Sequence, residues 1–94
     1  MLSNYTATPI RLARDASIDL LYPIHEAAKM VALSAKRKSG VEDVMIAGCL
    51  PPIVASYKPE LVPDTDVCLA QYRELVAIQK SAIDFMLCET MATI

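Results

Sequence analysis

Glu89 follows directly on the apolar run Phe85-Met86-Leu87-Cys88, and Thr90 comes next. A carboxylate at the end of a buried strand suits a cationic ligand group, above all an ammonium. Its plainer role is to cap or salt-bridge the strand-to-loop turn. Cys49 closes a second apolar run, Val44-Met45-Ile46-Ala47-Gly48, so Cys49 and Cys88 can share neighbouring strand ends. With Cys68 they are the only thiols. A zinc site would want closer ligand spacing: there is no CxxC pair, and Cys68 falls in a helical segment. The three therefore read as small buried hydrophobes. His25 has no serine or cysteine nucleophile motif near it and reads as a surface or partly buried helix residue rather than a general base. Gly40 and Gly48 are the only glycines, which makes a phosphate-cradling loop improbable.

Two strands must hold these groups. Residues 44–49 and 83–88 are apolar without alternation, as in a parallel sheet covered on both faces. The first run stops at Leu50-Pro51-Pro52 and the second at Glu89-Thr90. In parallel α/β proteins ligands bind at that end of the sheet. Residues 50–64 form a loop with four prolines, long enough to suggest a function. Residues 2–6 can be the tail of an earlier strand.

Helices connect these strands. Thr8-Pro9 is a start signal, with Thr8 as N-cap and Pro9 in the first turn, for a helix over 10–16. Pro23 interrupts or restarts it. Over 24–38 the apolar stripe is Ile24, Ala27, Ala28, Val31 and Ala35, with Glu26, Lys29 and Lys36 off it. Ser39-Gly40 ends that helix. A third spans 66–80, with Cys68, Tyr72, Leu75, Val76 and Gln79 inward. The order strand end, helix, strand, helix, strand gives two βα crossovers and a parallel sheet.

The chain has 94 residues, one small domain at most, yet it is 54% apolar. No run approaches the ~18 apolar residues of a membrane helix. The surplus is expected to be covered by more protein, in a larger domain or by self-association. A net charge of -2 gives no electrostatic reason to bind nucleic acid or an anionic membrane. Lys36-Arg37-Lys38 complements a helix C-terminus rather than forming a phosphate patch. An odd cysteine count without a secretory signal points to reduced thiols and a cytoplasmic protein.

In order, the chain carries Asn4-Tyr5-Thr6-Ala7-Thr8-Pro9, Arg11-Leu12-Ala13, Ala47-Gly48-Cys49-Leu50-Pro51-Pro52, Ser56-Tyr57-Lys58-Pro59, Tyr72-Arg73-Glu74-Leu75 and Asp84-Phe85-Met86-Leu87-Cys88-Glu89-Thr90. This succession resembles the homocysteine S-methyltransferase family, from the end of barrel strand two to the end of strand four. The resemblance implies that residues 1–94 are a fragment of a (β/α)8 TIM barrel, a fold of about 250 residues. It implies methyl transfer to the thiol of homocysteine, giving methionine, from donors such as betaine, S-methylmethionine or methylated folate. In that family zinc holds the thiolate on cysteines of later strands, which Cys49 and Cys88 do not match.

By the same resemblance Glu89 contacts the substrate's amino group. Asn4, Tyr5 and Thr6 line the same pocket, and Gly48 with the Leu50–Pro52 turn shapes its mouth. Tyr57 and Lys58 either line the entrance to a donor site or are solvated. Ala82 stands where the family has glycine, at about 1 kcal/mol if the backbone there is left-handed. The fragment alone is expected to lack activity and to bind no metal. Two alternatives stay open: another TIM-barrel enzyme, and a non-catalytic α/β module that buries its apolar surface in an oligomer.

Overall fold

A computed structural model describes residues 1–2, 4–55 and 57–91. The elements are helix α1 (Pro9–Arg14), helix α2 (Leu21–Ser39), strand β1 (Ala47–Leu50), helix α3 (Thr65–Gln79) and strand β2 (Phe85–Cys88). Short 3-10 turns precede α2, at Ile18–Leu20, and interrupt the proline-rich loop, at Pro59–Leu61.

The strands pair in parallel, with Ala47 opposite Phe85 and Leu50 opposite Cys88. Chain order β1-α3-β2 makes one βα crossover, the α/β unit expected of this sequence. The two crossovers expected over the whole chain reduce to this one. The described part of segment 2–6 meets β1 through a single backbone bond, Leu2 N–H to Ala47 O at 2.9 Å. A turn at Tyr5 and Thr6 then leads into α1. Asp84 opens the ladder from outside it: its N–H reaches Ile46 O at 2.8 Å and its Oδ2 accepts from Ile46 N at 2.7 Å. That side-chain bond replaces a ladder bond, so the paired strands begin later than the apolar runs.

The helix ends follow local chemistry. Thr8 caps α1, its Oγ1 accepting from Arg11 N at 3.3 Å. Gly40 ends α2 in the left-handed region at φ 68°, with three cations in the last turn. Pro23 does not break α2. It occupies the first turn, where its missing N–H has no intrahelical partner to lose. Ala82 is buried without a positive φ, so the glycine cost does not arise there.

The core lies where α3 packs on β1 and α2 packs on α3, with Leu2, Leu21, Ile46, Leu75 and Ile78 enclosed. The face of α2 turned inward is Leu21, His25, Ala28 and Lys29. Of the expected stripe only Ala28 is buried; Ala27, Val31 and Ala35 are exposed. The cause is polar. His25 and Lys29 each bond to backbone across the core, and those bonds rotate the helix away from its weak alanine stripe. Among the described residues, no helix is long and apolar enough to cross a membrane.

Candidate functional site at the strand ends

The C-terminal ends of β1 and β2 meet at the turn Leu50-Pro51-Pro52, and three consecutive carbonyls of that turn are each held from a different element. Glu89 N–H donates to Leu50 O at 3.0 Å. The Tyr72 hydroxyl, on α3, donates to Pro51 O at 2.8 Å. The Arg11 guanidinium, on α1, donates through Nη2 to Pro52 O at 3.2 Å. Thr8 adds a bond from Oγ1 to Ile53 O at 2.7 Å. Proline supplies two of these carbonyls and no competing N–H, which suits a segment read entirely through its acceptors.

Glu89 is half-buried. Its Oε2 accepts from the Cys49 thiol at 3.7 Å. Burial, reinforced by the Glu89 charge and hydrogen bond, pushes the Cys49 thiol up to about 11. Cys49 is 0% exposed. It therefore stays a neutral thiol, donating to the carboxylate rather than reacting or binding metal. Thr90, the next residue, has φ 54°, a left-handed conformation that a β-branched side chain adopts at a cost of about 1–3 kcal/mol. Among the described residues Glu89 has no cationic partner; the ion pair there is Lys29 with Glu26.

Asn4 is buried and donates from Nδ2 to His25 Nδ1 at 2.8 Å. His25 Nε2 lies 2.7 Å from Ala7 O. A carbonyl only accepts, so Nε2 carries the proton and Nδ1 accepts from Asn4. Burial lowers the His25 pKa, and Lys29 lowers it further; the Ala7 bond and Glu74 act against this. His25, only 1% exposed, is thus a neutral strut that ties segment 4–7 to α2. The helix pattern missed it because imidazole counts as polar, while here both ring nitrogens are satisfied. Asn4 Oδ1 has no partner among the described residues.

Tyr5 is half-buried with the Arg11 guanidinium carbon 5.7 Å from its ring centroid. Thr6 is exposed. Gly48 is enclosed on the side facing α3: a Cβ there would lie 2.5 Å from Met86 Sδ, 2.7 Å from Ile83 Cδ1 and 3.1 Å from Gln79 Oε1. Since strand residues alternate, Cys49 and Gly48 address opposite faces, and the Glu89 contact is on the Cys49 side. Gln79, fully buried on α3, accepts from Cys49 N at 2.8 Å and donates to Cys49 O at 2.9 Å. Its amide thereby imitates the backbone of a neighbouring strand.

Beside the turn, a cavity of about 240 Å³ opens between the proline-rich loop and α3, lined in part by Pro52, Ile53, Leu61, Cys68, Tyr72 and Met91. Cys68 Sγ lies 3.4 Å from Pro63 O. Burial raises the Tyr72 phenol to about 12, so it stays a donor. Tyr57 and Lys58 are exposed outside this cavity, Tyr57 at 85%. Ser56, singled out with them, lies outside the described residues.

The cysteines do not suit the zinc of the resembled family. Cys49 is held neutral by burial and by Glu89, Cys68 donates to a carbonyl on the loop, and Cys88 is exposed. Among the described residues no three histidine, cysteine, aspartate or glutamate side chains come together as a metal site. Comparison of the chain with protein-family models, with curated proteins and with solved structures finds no match.

Proposed function

We propose that this chain is part of a homocysteine-binding (β/α)8 barrel of the methyltransferase type, and that Glu89 grips the substrate's amino group. One observation carries the reading. A half-buried carboxylate sits at the C-terminal end of a parallel strand pair with a thiol donor and, among the described residues, no ion-pair partner. An ammonium would supply the missing charge and its own donors. The backbone bond from Leu2 to Ala47 supports a preceding strand on that edge of β1. The residues here would supply recognition of the amino acid.

Binding tests this directly. Titration of the chain with homocysteine under reducing conditions, followed by amide chemical shifts, should perturb Glu89 and the Leu50–Pro52 turn. Mercaptobutyrate, which lacks the amino group, should bind at least tenfold more weakly. Glu89→Gln should abolish that difference. Equal affinity for the two thiols in the unaltered chain would end this reading.

A second reading has its own support. β2 is apolar yet open, with Phe85 46% and Leu87 43% exposed. A module that covers β2 in an oligomer would sediment as a discrete species and melt cooperatively. A monomer at all concentrations would reject it.

A further inference from the structure

We propose that Arg11 is the carboxylate anchor of the same site, so that its ligand is recognised as a zwitterion, from both ends. The inference rests on the reading of Glu89 above for the ammonium end, and on separate observations for the carboxylate end. Arg11 is half-buried on α1 and carries an obligatory positive charge. The guanidinium's one hydrogen bond among the described residues goes to a neutral acceptor, Pro52 O. Its Nε is buried with no partner. It faces the Tyr5 ring, and no carboxylate pairs with it among the described residues. A guanidinium so placed has donors to spare and an uncompensated charge. A carboxylate satisfies both, with a geometry that the planar fork matches and a lysine would not.

The turn sets the spacing. The Arg11 guanidinium and the backbone N–H of Glu89 are fastened to Pro52 and Leu50, two residues apart, so these two anchoring points lie within roughly 7 Å of each other. The Glu89 carboxylate turns from its own anchor toward Cys49, and an amino acid is the class of ligand small enough to bring an ammonium to it and a carboxylate to Arg11. Tyr72, holding the carbonyl between them, keeps the two anchors in fixed relation.

Calorimetric titration with three thiols separates the two ends. The chain should bind homocysteine at least tenfold more tightly than aminopropanethiol, which lacks the carboxylate. Arg11→Gln, which removes the charge and the donor fork, should bring that ratio to within twofold. Arg11→Lys should recover only part of the ratio. A ratio near one in the unaltered chain overturns the assignment of Arg11. So does an Arg11→Gln variant that loses both ligands equally, since the residue would then act only by holding the turn. If mercaptobutyrate binds as well as homocysteine while aminopropanethiol does not, the Glu89 reading fails and the Arg11 anchor stands. Absence of binding by all three thiols overturns both.

Discussion

β1 and β2 are the same length, carry no charged residue and are paired to each other, yet one is sealed and the other open. In β1 three residues are buried and Leu50 nearly so; in β2 only Met86 is partly covered. The difference lies in what each strand's free edge and faces meet. α3 covers β1 and Gln79 answers the backbone of Cys49. Leu2 bonds to Ala47 from the N-terminal segment. β2 has β1 on one side and no second neighbour among the described residues. Apolar composition alone therefore says that a strand needs cover without saying whether the chain itself provides it.

Truncation should expose this contrast most sharply. Leu75→Ala, in the contact between α3 and β1, should cost about 2–5 kcal/mol by urea unfolding. Leu87→Ala on β2 should cost under about 1 kcal/mol in a monomer, since 43% of the residue is already in water. A large Leu87 penalty would mean that β2 is covered in solution and would break the comparison. Gln79→Leu comes next. It strands both backbone groups of Cys49, and about 2–4 kcal/mol should be lost, read from the same urea midpoints.

The third measurement is pH. His25 has a folded pKa below its unfolded value near 6.5, so the unfolded chain binds more protons in the window between the two. The stability that neutral His25 contributes is present above pH 6.5 and is lost as pH falls, at no more than about 1.4 kcal/mol per pH unit. His25→Gln should flatten that part of the profile in thermal melts across pH 5 to 7. An unchanged slope would remove His25 as its source. The smallest effect is chemical. In the native chain iodoacetamide should label exposed Cys88 readily and Cys49 only on unfolding, because burial and the raised thiol pKa act together. Mass mapping that finds Cys49 labelled first would show the β1 side to be open too.

Much of the skeleton is legible in the residues. Thr8-Pro9 and Gly40 mark helix boundaries by chemistry that tertiary packing did not override. Leu75 and Gln79 fall on the buried face of α3 as their spacing implies. The α2 face is not legible, because alanines give a weak stripe and the inward residues, His25 and Lys29, look polar until their partners are known. Lys29 reaches Ile78 O at 2.9 Å and so caps the end of α3, a partner 49 residues away. The site divides in the same way. Glu89 stands out because a carboxylate ends an apolar run. Arg11 and Tyr72 do not, because what distinguishes them is a carbonyl each holds on a turn distant in sequence.

The amide of Gln79 gives the sheet a direction of growth. A strand arriving at the Cys49 edge of β1 must first evict a side chain that already matches its hydrogen bonds. Among the described residues, no second strand pairs with the free edge of β2. The Gln79 side chain thus does for part of one margin of β1 what a strand would do, and among the described residues the outer margin of β2 is where a further strand meets unpaired backbone.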